Sequence, residues 1–152
     1  FCLPPDDARL NVVNADAREF ISHPRQRGLA DWLQVDLYDA AARGPVYDDV
    51  AFYRACRKAL RAPGVASFNL FGARFDPSFA AIASAFDDRA LVLPEVDAGN
   101  RVVLAVVGPP LDVPFAALDR RARELEARWN LKARGWVAGL RRANVFGTSF
   151  EL

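Results

Sequence analysis

Two periodicities alternate along the first two thirds of the chain, which predicts strands alternating with helices. The nearly unbroken apolar run from Trp32 to Val35 predicts a strand buried on both faces, as in a parallel sheet. Similar strands are predicted over 10–15 and from Gly64 to Leu70. Apolar residues spaced by three and four predict helices over 17–21, from about Asp49 to Pro63, and after an N-cap at Asp76. The alternation is typical of an α/β fold.

After residue 89 the pattern changes. Two strands, 90–93 and 101–107, are separated by a turn too short for a parallel crossover, so they should pair antiparallel. Pro94 places the first of them near a sheet edge. A helix is predicted from about Pro114 to Trp129, followed by a further helix from Lys132 and a loose tail. The first of these helices has an apolar stripe that we expect to be buried against the sheet or a second subunit: Phe115, Leu118, Ala122, Leu125 and Trp129.

Two carboxylates follow the apolar run at Trp32. Asp36 and Asp39 precede a glycine-proline loop at Gly44 and Pro45. In open α/β sheets, ligands bind in the crevice beyond the carboxyl ends of the strands, so both acids are candidates for chemistry. Alternatively, they serve to satisfy backbone amides of a turn. Spacing alone leaves both interpretations open.

Composition excludes several other classes. The chain has 152 residues, of which 52% are hydrophobic and 26% charged, typical of one globular domain. Its net charge of +1 argues against a nucleic-acid or membrane-surface partner. Cys2, Cys56 and His23 lack the spacing and partners of a metal site, so we expect no metal. Two unpaired thiols indicate a reducing, cytoplasmic compartment.

Several blocks of the sequence resemble the spermidine synthase family. The chain resembles a divergent, spermidine-synthase-like member of it. These blocks occur in the family's order from Phe1 to about Val107. The blocks are Phe1-Cys2-Leu3-Pro4-Pro5-Asp6-Asp7-Ala8-Arg9-Leu10, Asn14 to Phe20, Val35-Asp36-Leu37-Tyr38-Asp39, Gly44-Pro45 with Phe52-Tyr53, Pro63-Gly64-Val65 with Asn69-Leu70, and Gly99 to Val103. The resemblance implies a Rossmann-like sheet of the S-adenosylmethionine-dependent methyltransferase type, with a final antiparallel strand.

The resemblance also implies a reaction and its residues. The family transfers an aminopropyl group from decarboxylated S-adenosylmethionine to a diamine such as putrescine, without a metal. Asp36 then matches the catalytic base, and Asp39 with Tyr38 would bind the amine. Asp16 and Ala17 match the pair that holds the adenine, with Leu37 beside the nucleotide. We therefore expect a cytoplasmic homo-oligomer that acts on a small amine.

The sequence also departs from the family pattern. Leu37 and Tyr38 replace two small hydroxyl residues, Ala40 replaces a proline, and Asn69 stands where glutamine is common. An ordinary S-adenosylmethionine-dependent methyltransferase and a non-catalytic domain therefore stay open as alternatives.

The family's first two strands, its glycine-rich loop and its ribose-binding acid would precede Phe1. We expect residues 1–108 to be the C-terminal part of a catalytic domain and 109–152 a helical extension. Such a chain should be inactive alone and should not fold as an independent monomer. Strand 11–15 should then share no backbone hydrogen bonds with 32–36, because the first two strands would lie between them.

Overall fold

A four-stranded mixed sheet forms the centre of the molecule. The computed structural model describes residues 5–41, 44–71, 75–95 and 99–152. The strands are β1 (Ala30–Val35), β2 (Leu60–Phe71), β3 (Ala90–Val92) and β4 (Asn100–Val107), in the spatial order β1-β2-β4-β3. β1 and β2 are parallel, whereas β4 lies between β2 and β3 and is antiparallel to both. The predicted antiparallel final strand and the edge position of β3 are therefore confirmed.

Three helices are associated with one face of this sheet. They are α1 (Ala17–Ser22), α2 (Val50–Ala59) and α3 (Phe75–Ala85). Asp16 and Asp49 cap α1 and α2, with their carboxylates accepting backbone N–H bonds at the first turn. Alternate residues of β2 and β4 meet the apolar stripes of α2 and α3 in a single core that includes Phe52, Tyr53, Cys56, Ala66, Phe68, Leu70, Ile82, Phe86, Val103 and Ala105.

The opposite face of the sheet lines an open cavity of about 510 Å³. Trp32 and Gln34 of β1 point to this face, together with Ser67 and Asn69 of β2. Trp32 is 66% exposed, so the prediction that this strand is buried on both faces is wrong. Alternation along the strand sends Leu33 and Val35 to the helical core, and their neighbours to a face that the described helices leave open.

Some predicted element boundaries are also wrong. Residues 10–15 form no strand, and Val12 and Val13 are 49% and 52% exposed. Within the described residues no backbone hydrogen bond joins 11–15 to 32–36, as expected. A strand needs a neighbour for its backbone groups, and this segment has none there.

The end of α2 and the start of α3 also differ from the sequence prediction. α2 ends at Ala59 because the Gly28 and Leu29 N–H groups take up its last carbonyls, at 3.0 Å each, which leaves Pro63 and Gly64 inside β2. Asp76 lies within the first turn of α3 instead of capping it.

The C-terminal segment contains β5 (Asp112–Pro114), α4 (Phe115–Trp129), α5 (Ala133–Ala143) and β6 (Ser149–Glu151). β5 and β6 pair antiparallel, so the predicted loose tail is in fact a strand. In α4, Phe115 and Ala122 are buried and Leu118 and Leu125 half-buried. Trp129, at 59% exposure, does not belong to a buried stripe.

Side-chain amides and close backbone contacts attach this segment to the sheet. The Asn144 amide donates to Val92 O at 2.7 Å and accepts from Val92 N at 2.8 Å. Arg89 donates to the carbonyls of Gly108, Pro109 and Leu152. Gly139 permits α5 to approach, since a Cβ there would lie 2.6 Å from Pro94 Cγ. The edge strand β3 is thus covered by α5 and the turn after it.

Candidate active site

Asp36 and Asn69 meet at the carboxyl edge of the parallel pair. Asp36 directly follows β1, and the register that pairs Val35 with Phe68 brings it beside Asn69 of β2. Asn69 Nδ2 donates to Asp36 Oδ1 at 3.0 Å. The Asp36 carboxylate is exposed and lines the 510 Å³ cavity, so it is oriented by one amide while staying accessible.

Asp39 has a different role in the turn. Its Oδ1 accepts the Ala41 N–H at 2.9 Å, and the residue is half-buried. This is a turn-amide bond typical of aspartate, and the binding of an amine by Asp39 stays a prediction. No such bond is seen for Asp36 within the described residues. The two acids predicted together are therefore held in different ways.

Tyr38 lies close to Asp36 with an unpaired hydroxyl. Its ring packs on Gly44, where an added Cβ would lie 2.5 Å from Tyr38 Cδ1. The hydroxyl oxygen is buried and has no hydrogen-bond partner in the described part of the chain. Burial raises the pKa of Tyr38, and the negative charge of Asp36 adds to the effect. Buried polar groups are usually hydrogen-bonded, so this unpaired hydroxyl calls for an explanation.

Asp16 binds with both carboxylate oxygens. Oδ1 accepts the Glu19 N–H at 2.9 Å as the N-cap of α1, and Oδ2 accepts the hydroxyl of Tyr47. The Tyr47 hydroxyl, and after it the Glu19 amide, lowers the pKa of Asp16, while the same bond raises the pKa of Tyr47. The sequence analysis missed Tyr47, although its place two residues after the Gly44-Pro45 loop could have drawn attention to it.

Arg18 connects the Asp16–Tyr47 pair to the start of α2. Its guanidinium lies 4.5 Å from the centroid of the Tyr47 ring and pairs with Asp49, the N-cap of α2. Arg18 is the first cause of the lowered pKa of Asp49. Asp16, Tyr47, Arg18 and Asp49 thus form one cluster that joins the start of α1 to the loop before α2.

The sequence analysis also missed Asp48, which holds the loop before α2 in place through two side-chain hydrogen bonds. Asp48 accepts the Tyr53 hydroxyl at 2.9 Å and the hydroxyl of buried Ser78 at 2.8 Å. Burial, with this bond to Asp48, raises the pKa of Tyr53, so the phenol stays protonated. The network links the loop to α2 and α3 and holds it in place.

Ala17 and Leu37, both predicted near the nucleotide, line one apolar cavity. It measures about 220 Å³ and is bounded by α1, β1 and α2, with Phe20, Ile21 and Phe52 among its walls. Asp36 instead faces the 510 Å³ cavity across the sheet. The predicted residues therefore share one edge of the sheet but divide between its two faces.

The described residues contain neither a reactive thiol nor a group of side chains that could hold a metal ion. Cys56 is a buried free thiol whose pKa burial raises to about 12, so it is a poor nucleophile; Cys2 lies outside the described residues. No group of three or more His, Cys, Asp or Glu side chains in the described ranges could hold a metal ion. No helix there is long and apolar enough to cross a membrane.

The strand order and a comparison with a solved structure define the class of fold. A crystal structure of a spermidine synthase bound to the transition-state analogue AdoDATO aligns with a TM-score of 0.63 over 90% of this chain and 49% of that chain, at 20% identity. The chain has a methyltransferase-like α/β fold. No family model matches it.

Sequence comparison shows which proteins with this kind of fold the chain is similar to. Polyamine aminopropyltransferases of Neisseria meningitidis serogroup A and Chromobacterium violaceum are each 28% identical over 146 residues, or 95% of this chain. The resemblance to the spermidine synthase family is thereby confirmed. It is longer than the blocks up to Val107 and includes part of the C-terminal segment. The chain spans about half, 55%, of the length of these relatives.

Proposed function

We propose that the protein at its full natural length (the natural polypeptide) transfers an aminopropyl group from decarboxylated S-adenosylmethionine to a diamine such as putrescine. Residues 1–108 would form part of its catalytic domain and 109–152 an extension that covers the β3 edge. The 28% identity to polyamine aminopropyltransferases supports the reaction class. The observation that carries the assignment of the site is the exposed Asp36 carboxylate, held by Asn69 next to the unpaired Tyr38 hydroxyl.

The chemistry requires a base at this point. An alkylamine is protonated near neutral pH and must lose a proton before its nitrogen can attack. The nitrogen then bonds to the carbon next to the sulfonium, the carbon–sulfur bond breaks, and a neutral thioether leaves. In the proposal, Asp36 takes the proton from the amine. A positioned carboxylate typically accelerates such a transfer by about 10²–10⁴-fold.

The remaining residues would position the two substrates. Tyr38 would use its free hydroxyl to bind an amine nitrogen, and Asp39 would attract the second ammonium of the diamine. The 220 Å³ cavity offers an apolar place for the adenine between Ala17 and Leu37. Asp16 would accept from the adenine amino group, and the Tyr47 bond keeps its carboxylate ionised and fixed for that purpose.

Calorimetric titration of the natural polypeptide with decarboxylated and with ordinary S-adenosylmethionine tests the proposal. We expect tighter binding of the decarboxylated compound and, with putrescine added, formation of a neutral thioether product. Preference for ordinary S-adenosylmethionine would favour a methyltransferase. Failure to bind either compound would support the non-catalytic alternative. The homo-oligomeric state and the cytoplasmic location stay predictions, which sedimentation and fractionation would address.

A further inference from the structure

A cleft lined by basic side chains lies at the edge of the sheet opposite Asp36. It measures about 570 Å³ and is bounded by the end of α2, the end of α3 and the end of β4 at Val107. Because β4 runs antiparallel to β2, Val107 pairs with Gly64 near the start of that strand, whereas Asn69 pairs with Val102. The cleft is therefore about 17 Å along the sheet from the Asp36–Asn69 pair, at roughly 3.3 Å per residue.

The positive charges come from separate elements. Arg54, Arg57 and Lys58 are on α2, and Arg89 precedes β3. A second cavity of about 210 Å³ shares Arg54 and Lys58 with the first and adds Arg27. Among the described residues that line the two cavities there is one acid, Asp87. Five cations face one carboxylate in a chain whose net charge is +1.

Some of these five cations already have partners within the fold. Arg57 and Lys58 lie in the last turn of α2, where the helix dipole favours cations. Arg57 also pairs with Asp87, and Arg89 donates to three carbonyls. Arg54 and Lys58 are exposed and make no ion pair in the described part of the chain. Since both line the two cavities, their charges are available to a ligand that spans them.

We propose that this basic cleft binds a linear oligophosphate, either free or as the phosphate chain of a nucleotide. Guanidinium groups bind phosphate oxygens through paired N–H donors, and an ammonium adds a point charge. A ligand with several phosphates in a row matches cations spread over two adjoining cavities better than a single anion does. The proposal does not depend on the aminopropyl transfer proposed above.

Isothermal titration of the natural polypeptide with sodium tripolyphosphate tests the cleft directly. We expect one saturable site whose affinity falls as salt rises from 50 to 200 mM, because dissolved ions screen the attraction between the phosphates and the basic side chains. The double variant Arg54→Gln/Lys58→Gln should weaken binding at least tenfold. The matched control Arg120→Gln/Arg123→Gln removes two exposed charges from α4 and should change the affinity less than twofold.

Further ligands identify the source of the phosphate chain. Equal affinity for ATP and tripolyphosphate would show that the phosphates suffice, and tighter binding of ATP would point to a nucleotide; both results support the proposal. Three results would overturn it: no saturable binding, equal losses in the two double variants, or tighter binding of a single-stranded oligonucleotide. Near-ultraviolet circular dichroism of each variant checks that the fold is retained.

Discussion

At the scale of single residues, Asp36 differs from its neighbours in being both exposed and oriented by a side-chain amide. Replacement by asparagine removes the proton acceptor while keeping size and shape. We expect Asp36→Asn to lower the rate of aminopropyl transfer by the natural polypeptide by about 10²–10⁴-fold. Binding of decarboxylated S-adenosylmethionine, measured by titration, should change little, because the proposed nucleotide contacts lie elsewhere.

Asp31→Asn provides the matched control for this variant. Asp31 is on the same strand but pairs with Arg61 near the strand's other end. The same chemical change there should leave the transfer rate within about twofold, because exposed ion pairs contribute little to stability. Wild-type turnover by Asp36→Asn would remove the base from the proposal.

Tyr47→Phe tests the cluster around Asp16. The Tyr47 hydroxyl is the first cause of the lowered pKa of Asp16, so its removal should raise that pKa toward the ordinary value of 3.8. A lowered pKa stabilises the fold above 3.8, and this contribution is lost as pH falls through the lowered value. The wild type should therefore be more stable above pH 3.8 than at lower pH on account of Asp16, and in Tyr47→Phe this difference should be smaller.

Carbon-13 NMR titration of the Asp16 carboxyl would measure this shift. Tyr38→Phe is the control, because Tyr38 makes no contact with Asp16 and should leave its pKa unchanged. The Glu19 N–H still donates to Asp16 in both variants, so the pKa in Tyr47→Phe should stay somewhat below 3.8. An unshifted pKa in Tyr47→Phe would mean that the bond is not formed in solution.

The positions of the acids could be predicted from the sequence more readily than their hydrogen-bond partners. Asp36 could be predicted because an apolar strand ends at it, and ends of parallel strands are local features of the chain. The bond from Asn69 depends on which strand lies beside β1, and that from Tyr47 on how a loop folds back. Such contacts join residues more than thirty positions apart, which periodicity does not encode.

At the scale of elements, the turn after α5 completes the edge of the main sheet. Asn144 offers β3 both a donor and an acceptor, in place of a neighbouring strand, and also donates to Leu140 O. Asn144→Ala leaves two partly buried backbone groups of Val92 without these partners. We expect a loss of about 1–3 kcal/mol in the free energy of unfolding of the natural polypeptide, measured by urea denaturation.

Asn11→Ala is the corresponding control, since Asn11 is exposed and should cost less than about 0.5 kcal/mol. Hydrogen exchange of the Val92 amide gives a second measurement. It should become faster in Asn144→Ala and stay unchanged in Asn11→Ala. Equal stability of the two variants would show that β3 does not depend on this amide.

Elements with strong local signals could be predicted, and those that depend on distant partners could not. The stripe and cap of α2 gave its start at Val50, and a short turn gave the antiparallel pairing of β3 with β4. The end of α2 was missed because Gly28 and Leu29, distant in sequence, take up its carbonyls. β6 was missed for the same reason, since three residues become a strand when β5 lies beside them.

At the scale of the whole molecule, the sheet separates two groups of charged residues. The proposed acid–base site lies where β1 and β2 end, and the basic cleft lies near the start of β2. The net charge of +1 gave no reason to predict a nucleic-acid or membrane-surface partner, and as a sum over the whole chain it does not reveal a local cluster of cations. The cluster of cations forms only because the fold brings α2, α3 and the end of β4 together.

This separation leads to a prediction about coupling between the two sites. Asp36→Asn removes one negative charge about 17 Å along the sheet from the basic cleft, taking roughly 3.3 Å per residue. At 0.15 M salt the screening length is about 8 Å, so the dissociation constant for tripolyphosphate should change less than twofold. At 10 mM salt the screening length is about 30 Å, and the variant should bind tripolyphosphate measurably more tightly. Titrations at the two salt concentrations measure this difference, with Asp119→Asn on α4 as the charge-matched comparison. A large change at 0.15 M salt would mean that the two edges of the sheet communicate through the structure.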